Sequence, residues 1–189
     1  LLSEQNIEIK IDHSHIPKIT TEQKSKIDKM LKIQQGLLSK LSSKNSSNNK
    51  KINSLIANYY FCTKQFEKAS NYYDKALKDN PNSIENTSQK GLALTMLGRH
   101  KEAINYFDKA LQIDPNHFES LYGKGNALST ISRYDEALDY YDKTLEINPE
   151  FSDSIYQKGL ALFELGKYEE ALPFFDHALD YDPKNIKAI

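Results

Sequence analysis

Three places in the chain hold side chains that could do chemistry. His13 and His15, separated by Ser14, put two imidazoles within reach of one metal ion. A zinc site needs further Cys, His or carboxylate ligands at regular spacing, and none follows here, so a solvated segment is the expectation. Cys62 is the sole thiol, which excludes an internal disulfide framework and fits a reducing compartment. A cysteine nucleophile needs a base or positive charge beside it. No histidine is spaced to serve Cys62, so a buried structural thiol is expected. Gly123 and Gly125 make no nucleotide fingerprint, and there is no phosphate loop, HExxH or GxSxG. No catalytic residue, metal or cofactor is assigned, and the chain is read as non-enzymatic. Asn45-Ser46-Ser47 and Asn86-Thr87-Ser88 fit the glycosylation pattern, which matters only in a secreted protein.

Charge divides the chain in two. Residues 1–51 hold ten lysines against five acids; residues 52–189 hold fifteen Lys or Arg against twenty-one acids. A basic arm therefore precedes an acidic body. An acidic body argues against nucleic acid as the partner, because phosphate binding needs a positive surface. No apolar run is long enough to cross a bilayer.

The elements that must position any site come from an internal repeat. Prolines recur at a step of 34 at Pro81, Pro115, Pro149 and Pro183. Alanines keep the same step at Ala69, Ala103, Ala137 and Ala171, and leucines at Leu77, Leu111, Leu145 and Leu179. Aromatics do so at Tyr73, Phe107, Tyr141 and Phe175, and small residues at Ala57, Gly91, Gly125 and Gly159. Each copy reads as two helices. In the copy 84–117, Leu94 and Leu97 follow Gly91 at helical spacing before Gly98 breaks the run. Ala103, Phe107, Ala110 and Leu111 then share one face of a second helix, which Asp114-Pro115 ends. The small residues let paired helices approach, and Phe107 fills the space between repeats. One hairpin cannot bury its apolar face alone; stacking buries it.

The run "KGLALTMLGRHKEAINYFDKALQIDPN" resembles the tetratricopeptide repeat family, and the resemblance covers residues 50–185 in four copies, 50–83, 84–117, 118–151 and 152–185. It implies an all-α right-handed superhelix of helix–turn–helix repeats whose first helices line a concave groove. It also implies a protein- or peptide-binding scaffold or adaptor. The first copy departs from the pattern: Tyr59 replaces the alanines Ala93, Ala127 and Ala161, and Thr63-Lys64 replaces the Leu-Gly turn. Tyr59 predicts that this repeat packs against something other than a standard preceding repeat. Pro173 is expected to interrupt and bend the last second helix. Residues 186–189 read as the start of a fifth copy, so the chain is expected to be a fragment, or to have that end covered by a partner.

The resemblance assigns specificity to the groove face of each first helix: Asn58; Glu85, Gln89 and Leu92; Glu119, Tyr122 and Asn126; Asp153, Tyr156, Gln157 and Leu160. Asn58, Gln89, Asn126 and Gln157 supply about one carboxamide per repeat, able to donate to and accept from an extended peptide. Tyr122 and Tyr156 are aromatic anchors. Glu85, Glu119 and Asp153 form an acidic column that either favours basic peptides or serves the helix dipole. Repeats that grip acidic chaperone C-termini use Lys, Asn, Asn, Lys and Arg; Ser54, Asn58, Gln89, Glu119 and Gly123 stand there, or, one repeat later, Ser88, Leu92, Gly123, Asp153 and Gln157. Only Asn58 matches, so no such carboxylate-clamp ligand is expected.

Residues 21–41 read as one amphipathic helix, with Ile27, Met30, Leu31, Leu38 and Leu41 on one face and Thr20 with Gln23 as a capping box. It either caps the first repeat or docks a partner or a second copy. Residues 42–50 read as a flexible linker. Ile7, Ile9 and Ile11 alternate with charged residues, as in a strand or an extended segment lying in a groove. Besides the adaptor reading, the sequence is compatible with a self-assembly module, a homo-oligomer through the terminal repeat or N-terminal helix, and with a regulatory domain of a larger protein.

Overall fold

The computed structural model describes Ser25 and residues 46–181. Eight helices follow in order: α1 Ser46–Cys62, α2 Phe66–Asp79, α3 Ile84–Met96, α4 His100–Ile113, α5 Phe118–Thr130, α6 Tyr134–Ile147, α7 Ser152–Glu164 and α8 Tyr168–Tyr181. They form four antiparallel hairpins, α1/α2 to α7/α8, each stacked on the next. The described residues hold no strand, and the all-α repeat array expected from the sequence is the observed fold.

Every hairpin turns in the same way. The second residue past each first helix has a positive φ: Lys64 at 59°, Gly98 at 73°, Ser132 at 61° and Gly166 at 75°. The next residue then donates back into the helix, from Gln65 to Tyr60, Arg99 to Leu94, Arg133 to Leu128 and Lys167 to Leu162. The positive-φ residue itself donates three residues back, as Gly98 does to Thr95. This double bond satisfies carbonyls that the helix end leaves open. Between hairpins, the Asn80–Pro81 and Asp114–Pro115 segments stop the second helices, and Ser83 accepts the N–H of Asn86 at 3.2 Å to start α3.

The core runs along the axis of the array. Ala69, Ala103, Ala137, Tyr73, Phe107 and Tyr141 are completely buried. Phe107 lies against two glycines: a Cβ added at Gly91 of its own repeat would stand 2.7 Å from its ring, and one at Gly123 of the next repeat 2.6 Å. Neither position has room for a larger residue, so both glycines are there for close approach.

Two expectations are corrected. Helix α1 begins at Ser46, inside the stretch 42–50 read as linker. Once Ile52 and Ile56 pack, each further residue adds a hydrogen bond to an existing helix, and polar residues suffice to extend it. Pro173 does not interrupt α8, which runs through it. Pro173 is exposed, so the carbonyl that loses its helical donor can be met by water. Of the helix read at 21–41 only Ser25 is described, and it is helical and exposed; the isoleucine-alternating segment, the His13-Ser14-His15 pair and residues 186–189 lie outside the described residues. No helix among the described residues is long and apolar enough to cross a membrane.

Candidate binding surface

Successive first helices α3, α5 and α7 contact one another across repeat boundaries, whereas successive second helices stand further apart. The first helices therefore line the inner side of the array. The outer side carries creases between second helices.

On the inner side the carboxamides do not form a single ladder. Asn58 and Asn126 occupy one column; Gln89 and Gln157 lie in another, three residues earlier in the repeat. The Tyr73 hydroxyl donates to Asn58 Oδ1 at 2.7 Å, and the Tyr141 hydroxyl to Asn126 Oδ1 at 2.9 Å. Burial pushes both phenols far above their ordinary pKa, so they remain donors. Asn126 is itself buried. These two amide oxygens are committed to the core, leaving their N–H groups for other partners. Where the core aromatic is Phe107 or Phe175, the matching position is Leu92 or Leu160. The sequence carried this signal as an alternation between Tyr with Asn and Phe with Leu.

The acidic column sits in first turns, Glu85 in α3, Glu119 in α5 and Asp153 in α7. Glu85 accepts from the Ser83 hydroxyl at 3.1 Å, and Glu119 lies 3.4 Å from His117 Nε2. Carboxylates here complement the positive end of the helix dipole. Tyr122 and Tyr156, read as anchors, are half-buried. Tyr122 packs edge-on against Phe151 at 4.9 Å, and Phe118 meets the same ring at 4.9 Å. Tyr156 stands 6.0 Å from Phe175, and burial raises its pKa. The third and fourth repeats thus present an aromatic wall where the first two have Ser54 and Ser88. Ser88 is buried and its hydroxyl makes no hydrogen bond.

A column that the sequence reading passed over occupies the boundaries between repeats. Lys90, Lys124 and Lys158 recur at the 34-residue step, the first buried and the other two largely covered. Each donates to the aspartate sixteen residues before it, Asp74, Asp108 and Asp142. Each also lies over the ring sixteen residues after it, Tyr106 at 4.6 Å, Tyr140 at 4.3 Å and Phe174 at 4.7 Å. Burial alone would lower the pKa of Lys124; hydrogen bonds to Asp108 and Tyr140 outweigh it and hold it raised. The column ties the second helix of one repeat to both helices of the next.

Burial raises the pKa of Cys62, which favours the unreactive thiol. No group of three or more His, Cys, Asp or Glu side chains that could hold a metal occurs among the described residues.

Comparison with known proteins agrees with this architecture. The family model of the tetratricopeptide repeat protein 21 N-terminal ARM repeat matches residues 18–172. No curated protein matches. Among solved structures, MamA 41-end from Desulfovibrio magneticus RS-1 is 30% identical with a TM-score of 0.71, over 74% of this chain and 79% of that one. YrrB, described as a TPR protein with an unusual peptide-binding site, is 23% identical with a TM-score of 0.75, over 88% of this chain and 84% of that one.

Proposed function

Because the chain belongs to the tetratricopeptide repeat family, we propose that it is a non-catalytic scaffold holding a segment of a partner protein along the inner faces of its first helices. The observation that carries this reading is the inner face itself. Its side chains change from repeat to repeat while the alanine column Ala69, Ala103, Ala137 and Ala171 stays fixed: Ser54 and Ser88 give way to Tyr122 and Tyr156 at one position. A position that varies in size and chemistry between repeats is one available for recognition. A bulky side chain of the partner packs on the aromatic wall formed with Phe151, between Leu160 and Asn126. The N–H groups of the carboxamides at Asn58, Gln89 and Gln157 bond carbonyls of an extended backbone, while Asn126 is buried and serves the core. Glu85, Glu119 and Asp153 add a preference for basic residues, reduced at each by local interactions.

The test is selection of a random dodecapeptide library on the whole chain, followed by calorimetry of one selected peptide on variants. Tyr122→Ala with Tyr156→Ala is expected to weaken binding at least about tenfold, the scale of one or two anchor side chains. Unchanged affinity in that folded variant would place the peptide elsewhere and end the groove reading.

A further inference from the structure

The outer side carries a crease of about 640 Å³ between α2 and α4. Two exposed lysines line it, Lys78 on α2 and Lys109 on α4. Neither forms an ion pair among the described residues. The one carboxylate in the lining, Asp74, is taken by Lys90. Asp79, which follows Lys78, lies outside the lining and accepts from the Asn53 amide at 3.0 Å. By neutralising Asp74, the buried Lys90 leaves the crease with two uncompensated cations. The lining also holds Leu77, Tyr106 and Ile113, the last 42% exposed, and the exposed amides of Asn82 and Gln112. The crease is thus mixed in character, mostly polar and positive, with a smaller apolar part.

This charge belongs to one place in the array. At the 34-residue step, Lys78, Lys109 and Gln112 become Gln112, Lys143 and Glu146, and then Glu146, His177 and Asp180. Two lysines give way to one lysine against one acid, and then to two acids. The same fold therefore repeats the crease without repeating its charge. The surrounding body is acidic, with fifteen Lys or Arg against twenty-one acids over residues 52–189. A broad anionic partner, such as a membrane or a nucleic acid, is repelled by that body. A narrow segment that meets the crease alone is not.

We propose that this crease is a second binding site, which takes an acidic peptide segment of a partner protein. Two carboxylates of the segment pair with Lys78 and Lys109. An apolar side chain covers Leu77, Tyr106 and Ile113. The amides of Asn82 and Gln112 donate to carbonyls of its backbone. This ligand is opposite in charge to the basic segment favoured at the inner faces, and it lies on the other side of the array. Failure of either site leaves the other standing.

The test is selection on the whole chain from a random dodecapeptide library enriched in Asp and Glu, followed by calorimetry of one selected peptide. The wild type is expected to bind it, more weakly as salt rises. Lys78→Glu with Lys109→Glu is expected to weaken binding at least about tenfold, the scale of two exposed ion pairs turned into repulsions. Lys78→Arg with Lys109→Arg retains most of the affinity. Tyr122→Ala with Tyr156→Ala leaves it unchanged. Circular dichroism verifies that each variant is folded. A library that yields no binder overturns the proposal. So does unchanged binding in the charge-reversed variant, or binding lost in the Tyr122 and Tyr156 variant, which would put the acidic peptide on the inner faces.

Discussion

The first and third repeats solve the same packing problem differently from the second and fourth. In the odd pair the core ring is a tyrosine whose hydroxyl is received by an asparagine, Tyr73 by Asn58 and Tyr141 by Asn126. In the even pair the ring is Phe107 or Phe175 and the matching residue is Leu92 or Leu160. The turns divide along the same line. Gly98 and Gly166 occupy the left-handed position in the even repeats, and Lys64 and Ser132 are held there in the odd ones. The comparison teaches that the 34-residue template fixes shape and leaves chemistry open. A polar pair can replace an apolar pair if both members change together.

That rule can be broken one residue at a time. Tyr141→Phe keeps the ring and removes the donor, leaving the buried Asn126 oxygen without its partner. The expected loss is about 1–3 kcal/mol, the cost of an unsatisfied buried polar group, measured by urea unfolding. Adding Asn126→Leu converts the third repeat to the even type and should return most of that loss. A double mutant as unstable as the single one would show that the pair is not the unit of exchange.

The turns sharpen the contrast with a smaller effect. A non-glycine residue in the left-handed region carries about 1–2 kcal/mol of strain. Ser132→Gly should therefore raise stability by about 1 kcal/mol, and Gly98→Ser should lower it similarly. No atom lies within 4 Å of a Cβ built at Gly98, so the second change reads backbone preference without a clash. Equal stability of the Ser132→Gly variant and the wild type would remove the turn from the comparison.

The smallest effect concerns His100, at the position held by Phe66, Tyr134 and Tyr168 in the other repeats. Its Nδ1 is buried without a partner, and burial lowers its pKa below the ordinary histidine value. The unfolded chain therefore takes up the proton first as pH falls. Stability attributed to neutral His100 is complete above the unfolded pKa and declines as pH drops through the range below it. The midpoint temperature should fall further between pH 7.5 and 5.5 in the wild type than in His100→Tyr. Parallel pH profiles would clear His100 of that role.

Much of this architecture was legible in the sequence. Five columns at a step of 34 gave the helices, their stacking and the burial of Phe107 against the small residues. Roles within a column were harder to read. Asn58 and Asn126 looked like groove amides, because sequence shows an amide and not whether its oxygen is already spent on a tyrosine. Lys90, Lys124 and Lys158 keep the same step, yet lysine is so seldom buried that its column points to solvent by residue type alone. The crease between α2 and α4 depends on side chains from two repeats, and no local pattern records it.

The lysine column also has a mechanical side. Phe107, wedged between Gly91 and Gly123, is a pivot about which one repeat tilts on the next. The tie from Asp108 through Lys124 to Tyr140 crosses its boundary away from that axis, as a stay crosses a joint. Tilt at each pivot sets the resting curvature of the array, and the stays set how stiffly it departs from that curvature. The molecule is thereby a spring whose rest shape and stiffness are encoded in separate residues.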